Sequence, residues 1–113
     1  MFNGRNGVEL IDNLRAGCAG TIPGVECCDL QVAIYNSWRS GDYSVATMQF
    51  RHALPLLSYL MLNIDHLLCY GKRLAAQRLG IAQVHDRQPA MAARAVDLDT
   101  LEFWSRHLEP LPE

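Results

Sequence analysis

Apolar residues recur at helical spacing along most of this chain, with one short exception near the start. Val8, Leu10, Ile11 and Leu14 share one face of a first helix. Asn6 is placed to N-cap it, Glu9 stands three residues on as a capping box requires, and Gly17 is placed to stop it in the left-handed conformation. Residues 18–22 then form a short apolar run, broken by Gly20 and ended by Pro23-Gly24, which is the pattern of a buried strand. Helix followed by buried strand is half of a βαβ unit, and a parallel strand needs a neighbour. Gly4-Arg5-Asn6-Gly7 reads as the tight strand-to-helix loop, and residues 1–3 leave room for only the last residues of a strand. The neighbour is therefore expected N-terminal to residue 1, in the missing part of a larger α/β protein.

The rest of the pattern is helical. Residues 25–29 read as a linker, with Asp29 as N-cap of a second helix that runs to about Ser40 and stops at Gly41. Leu30, Ile34 and Trp38, with Val32 and Ala33 between them, are expected to make its buried face. Asp42 or Ser44 caps a third helix that reaches about Leu62, with Pro55 inside it as an expected kink. Beyond Pro55 the residues Leu56, Leu57, Tyr59, Leu60, Met61 and Leu62 are apolar almost all round, as in a helix packed on several sides. Asn63 caps a fourth helix from about Ile64 to Leu79, closed by Gly80, with Lys72, Arg73 and Arg78 in the half that suits the helix dipole. Residues 82–95 are less regular, with a turn at 86–89. Asp99-Thr100-Leu101-Glu102 reads as the capping box of a last helix. That helix is expected to bury Leu101, Phe103 or Trp104, and Leu108, with Glu109 polar and Pro110 and Pro112 ending it. The fold class is mainly α with one or two short parallel strands.

Length limits what this pattern builds. The 113 residues are half apolar, enough for a core, but a complete eight-fold barrel takes about 250 residues. The formal charge of −2, with basic residues scattered over several helices, does not suggest nucleic-acid binding. No basic segment followed by an apolar run marks a signal peptide, and the apolar stretch 53–62 is far short of the ~20 residues that span a bilayer. Cys18, Cys27, Cys28 and Cys69 lack clamp or zinc spacing, and are read as buried or half-buried thiols in a reducing cytoplasm. The four histidines are far apart, and neither His66/Tyr70 nor Asp65/Cys69, each at i and i+4, makes a strong ligand pair. No metal and no cofactor is expected.

The order Gly4-x-x-Gly7, helix, Arg15-Ala16-Gly17, then Gly20-Thr21-Ile22-Pro23-Gly24 resembles the last two βα units of the dihydrodipicolinate synthase and N-acetylneuraminate lyase family. These are pyruvate-dependent class I aldolases, lyases and dehydratases on a (β/α)8 TIM barrel. Downstream, Ser40-Gly41-Asp42, Leu54-Pro55-Leu56, Gly71-Lys72-Arg73 through Leu79-Gly80, and Arg87-Gln88-Pro89 follow the family's order. The segment Leu62-Asn63-Ile64-Asp65-His66 departs from it, standing where many members carry an Asn-Pro-x-Pro turn. The resemblance implies the C-terminal fragment of a barrel: residues 1–41 as its last βα units, residues 42–113 as the family's C-terminal helical extension.

The same resemblance implies a lysine Schiff base with a 2-keto acid, but places that lysine on a strand upstream of Gly4, together with the tyrosine relay and the carboxylate-binding threonine loop. The chain's single lysine, Lys72, sits on a predicted helix beside Arg73 and is read as a structural or solvated cation. No catalytic residue is therefore expected in this chain. Three residues inherit a substrate-binding role in a completed barrel. Gly4 lets pyruvate approach the backbone, Asn6 meets the distal part of the substrate, and Ile22 turns its carbonyl toward the lysine; Gly7 is read as a turn glycine. The expected function is that of a truncated lyase, silent alone, with an N-terminal barrel half or a homo-oligomer as partner and neither nucleic acid nor membrane. The alternative is a helical oligomerisation or interaction module without catalysis.

Overall fold

A computed structural model describes residues 1–108; the expectations for Glu109, Pro110 and Pro112 lie outside the described residues. The element missing from the sequence pattern is present in miniature. Strand β1 (Phe2–Asn3) pairs in parallel with β2 (Gly20–Thr21), Phe2 opposite Gly20 and Asn3 opposite Thr21. The neighbour of β2 therefore lies within residues 1–3 and not N-terminal to them. Helix α1 (Leu10–Arg15) makes the crossover, burying Leu10, Ile11 and Leu14, and Gly17 ends it at φ +89. The two-stranded sheet does not close into a barrel.

Helix α2 (Cys28–Arg39) and helix α3 (Tyr43–Leu60) form a hairpin around Gly41, whose φ of +86 turns the chain, and Asp42 caps α3 by accepting from the Val45 amide. Of the face expected for α2, Ile34 is buried and Leu30 and Trp38 pack partly against the core, but the two residues between them do not join it. Gln31 and Ile34 are buried, while Val32 and Ala33 face outward. Steps of about 100° per residue put 27, 31, 34 and 38 on one side and turn 32 and 33 away from it. Asp29 does not cap α2 either: it lies in the first turn, and Cys27 holds the cap position. Helix α3 continues through Pro55 to Leu60, two residues short of expectation.

The expected fourth helix is three pieces in continuous register: α4 (Ile64–His66), a π-helical turn (Leu67–Gly71) and α5 (Lys72–Leu79). Asn63 caps it by accepting from the His66 amide at 2.8 Å, Gly80 closes it at φ +76, and the whole is bent 102° from α3. Helix α6 (Ala95–Ser105) starts five residues earlier than the capping-box pattern implies, so Asp99 and Glu102 fall inside it. It buries Leu101 and Ser105, packs Leu108 partly against the core, and leaves Phe103 and Trp104 exposed, edge to face on each other. One core joins all these elements, with Leu10, Ile34, Leu56, Leu57, Leu60, Tyr70 and Leu74 fully buried in it. Among the described residues no single helix is long and apolar enough to cross a membrane.

A polar cluster staples α6 to this core. Asp97, in the first turn of α6, accepts from the Tyr70 hydroxyl at 3.1 Å, and its carbonyl accepts from the Tyr59 hydroxyl at 2.8 Å. The Arg94 amide donates to the Tyr70 oxygen at 3.1 Å, and the Arg94 side chain pairs with Asp97. Burial, then the Asp97 carboxylate, pushes the Tyr59 hydroxyl up to about 12. His66 packs against both tyrosine rings, with its Nε2 buried and unpartnered among the described residues. Burial lowers its pKa, against a smaller opposing pull from Asp97.

That environment predicts acid sensitivity. A histidine whose folded pKa is depressed contributes stability that is complete above its unfolded value of about 6.5 and is lost as the pH falls below it. The urea midpoint should decline between pH 7.5 and pH 5, and His66→Phe should flatten that decline. An equal decline in wild type and variant would assign the effect elsewhere.

Candidate functional site

Barrel-type enzymes place their chemistry where strands end. The loops after β1 and β2 carry such a place here. The first loop is unusual: Arg5, Asn6 and Gly7 have φ of +58, +53 and +77 in succession. Left-handed backbone costs ~1–2 kcal/mol at each non-glycine residue, so these two residues need holding. Arg5 pairs with Glu9, and Asn6 is held on three sides. Its Oδ1 accepts from the Gly24 amide at 2.7 Å, its Nδ2 donates to Glu26 Oε1 at 2.7 Å, and its carbonyl accepts from Gln31 Nε2 at 2.8 Å. The expected capping box is replaced by this arrangement: Asn6 reaches across to the second loop, and α1 begins at Leu10 without a side-chain cap.

The second loop was expected to be a linker and is instead a 3-10 turn (Val25–Cys27) held by a distant arginine. Arg78, on α5 and 5% exposed, donates to the Glu26 carbonyl at 2.7 Å and grips Asp29 through two bonds of 2.6 and 2.5 Å. Its hydrogen bond, above all, holds the Asp29 carboxyl below the usual range, while burial opposes. Cys27, wholly enclosed, has its thiol pushed up to about 12 by burial and then by the Glu26 carboxylate, the opposite of the shift that activates a thiol.

Between these loops and the π-helical turn lies a cleft of about 480 Å³. Its walls are apolar, from Ile22, Pro23, Met61, Ile64, Leu67 and Leu68. Asn6, Glu26, Arg5 and Lys72 add polar groups to its lining, with Arg5 paired to Glu9 and Lys72 to Asp86. Of the three residues expected to bind substrate, Asn6 is buried in this lining and Ile22 is exposed along it, whereas Gly4 is solvent-exposed and does not line it. Lys72 donates from Nζ to the His85 carbonyl at 2.9 Å and to Asp86 at 3.2 Å. Arg73 binds the same Asp86, and with Lys72 it draws the Asp86 carboxyl down to about 2. Among the described residues no group of three or more His, Cys, Asp or Glu could hold a metal ion.

Glu26, Gln31 and Arg78 are the parts that sequence reasoning missed. The one available signal was Gln31, a polar residue on the side of α2 that also carries Cys27 and Ile34. Its position has a consequence at Gly7. A Cβ there would lie 2.2 Å from Gln31 Oε1, on a backbone that side chains rarely adopt. Gly7→Ala should cost about 2–3 kcal/mol, from the left-handed backbone and the displaced glutamine amide. Thermal or urea unfolding checks it; an unchanged midpoint would mean that the loop is free to move away.

No protein family and no curated protein matches the sequence. Among solved structures, the dihydrodipicolinate synthase of Rhodopseudomonas palustris superposes with a TM-score of 0.84 at 20% identity. The match covers 93% of this chain and 35% of that one, so the chain spans about a third of the length of the structure it matches. The chain thus has the fold of one part of a dihydrodipicolinate synthase.

Proposed function

We propose that this chain is the C-terminal part of a lyase or aldolase of the dihydrodipicolinate synthase type, with residues 1–41 as the last βα units of its barrel and residues 42–113 as its helical extension. The intact protein acts on a 2-keto acid through a lysine imine; this chain supplies part of the pocket wall and no nucleophile. The observation that carries the reading is the match itself, nearly all of this chain against about a third of a barrel enzyme. The two-residue strands support it, because so small a parallel sheet presents unpaired backbone on both sides. Lys72 supports it from the other direction. Its Nζ is engaged with Asp86 and the His85 carbonyl, and it stands on a helix and not on a strand, so it is not offered as a free amine for attack on a ketone.

The natural partner is then a polypeptide carrying the remaining barrel strands, and the setting is the cytoplasm. The second reading, a helical association module, draws on the exposed apolar residues of α6, Val96, Phe103 and Trp104. Incubating the purified chain with pyruvate and borohydride tests the first reading. No adduct is expected on the chain alone, and an adduct on Lys72 would overturn it. Sedimentation addresses the second: a monomer across a wide concentration range contradicts a self-associating module.

A further inference from the structure

A buried titratable group outside the cleft has no task in the reading given above. His66 is 6% exposed, with the ring centres of Tyr59 and Tyr70 at 4.6 and 4.4 Å from its own. Its Nε2 is enclosed and meets no hydrogen-bond partner among the described residues. A neutral imidazole tolerates that place better than an imidazolium, which carries a proton on both nitrogens and a charge besides. Burial lowers its pKa and outweighs the opposing pull of Asp97, so the closed arrangement favours the neutral ring.

Three elements meet around this ring. Tyr59 comes from α3, Tyr70 from the π-helical turn, and Asp97, paired with Arg94, from the start of α6. Asp65 and Cys69 are the titratable neighbours on its own stretch of helix. Asp97 is already committed. Its Oδ2 accepts from the Tyr70 hydroxyl at 3.1 Å and pairs with Arg94 at 3.0 Å, and its Oδ1 lies 3.4 Å from the Tyr59 hydroxyl. A protonated His66 either draws this carboxylate away from the tyrosines or forces the cluster open to water. Both responses break the bonds that hold the start of α6. That helix is readily released, because it buries only Leu101 and Ser105 and follows residues 81–94, which form no helix or strand.

The same stretch of helix has a second face. His66 and Tyr70, at i and i+4, share the side that meets α6, whereas Ile64, Leu67, Leu68 and Gly71 share the side that lines the cleft. The π-helical turn lies between the two, and such irregular turns recur where a helix changes shape for function. We propose that His66 is a proton-operated latch: protonation of its ring in mild acid frees the start of α6 from Tyr59 and Tyr70 and, through the π-helical turn, shifts the wall of the cleft. The opening is local, with α2 and its share of the core still folded, and is therefore distinct from the acid sensitivity of overall stability. It holds whether or not the cleft takes a 2-keto acid.

Amide hydrogen exchange of the full chain between pH 7.5 and pH 5 tests it, read as protection factors so that the intrinsic pH dependence of exchange drops out. The opening equilibrium of residues 95–105 should rise several-fold, up to a ceiling of ~30-fold set by an ordinary histidine pKa of about 6.5 in the open state. The amides of α2 should stay protected over the same range. Backbone amide signals of Leu67, Leu68 and Gly71, on the cleft side, should move with one midpoint, and in the wild type the His66 ring signals should titrate at that midpoint. His66→Phe keeps a ring between the tyrosines and cannot take a proton, so it should abolish both the opening and the shift of the cleft wall. His66→Gln, neutral throughout, should do the same and serves if the phenylalanine variant does not fold. An opening that does not change with pH, or a parallel loss of protection in α2, overturns the proposal. So does the same acid response in a folded variant, or a gain of protection in acid, which would mean that the imidazolium pairs with Asp97 and tightens α6.

Discussion

Arg78→Ala should lower stability by about 2–4 kcal/mol, a large share of the roughly 5–15 kcal/mol that holds a domain together. The argument rests on what the guanidinium holds. It is buried on α5, donates to the Glu26 carbonyl, and makes two parallel bonds to Asp29 across 49 residues of sequence. Truncation leaves the Glu26 carbonyl without this donor and opens a hole beside Cys27. The Asp29 side chain is 41% exposed and regains water, which keeps the cost below that of a fully buried pair. Arg78→Lys should recover little, because an ammonium cannot reproduce the planar fork. The 3-10 turn (Val25–Cys27) should loosen with it, so the Cys27 thiol should become reactive to a maleimide in the variant and stay protected in wild type. A midpoint shift worth less than about 1 kcal/mol would mean that Arg78 is peripheral to the second loop.

Tyr70→Ala should cost about 3–5 kcal/mol and release α6. The ring is wholly enclosed in the π-helical turn, packed against His66 and 6.1 Å from the Tyr59 ring centre. Its hydroxyl donates to Asp97 and accepts from the Arg94 amide, so one oxygen joins the core to the start of α6. Removing the ring creates a cavity and orphans both partners at once. Tyr70→Phe separates the two contributions: it keeps the ring, loses only the hydroxyl, and should cost about 1–2 kcal/mol. Amide exchange should rise across residues 95–105 in both variants, more in Tyr70→Ala. Equal costs for the two substitutions would mean that the polar cluster, and not the packing, holds α6.

Local chemistry accounts for what was legible in advance. Gly17, Gly41 and Gly80 stop their helices in the left-handed region, and Asp42 and Asn63 cap theirs, because each of these choices is settled within a few residues. The candidate site was less legible because long-range pairing builds it. Nothing near Glu26 in sequence announces Arg78, 52 residues away, and nothing near Asn6 announces Glu26. Asn6 followed by Glu9 satisfies the capping-box pattern, yet the tertiary partners outcompete that local arrangement. Asp99 and Glu102 fit the same pattern, but Asp97 meets two tyrosines and helix α6 begins ahead of it.

Pyruvate trapping by borohydride tests the central claim most directly when this chain is mixed with an upstream-encoded segment carrying a strand lysine. The account predicts a stable complex of the two polypeptides and a reduced pyruvate adduct on the partner's lysine, with none on this chain. An adduct on Lys72, or a stable complex that traps no pyruvate at all, would contradict it.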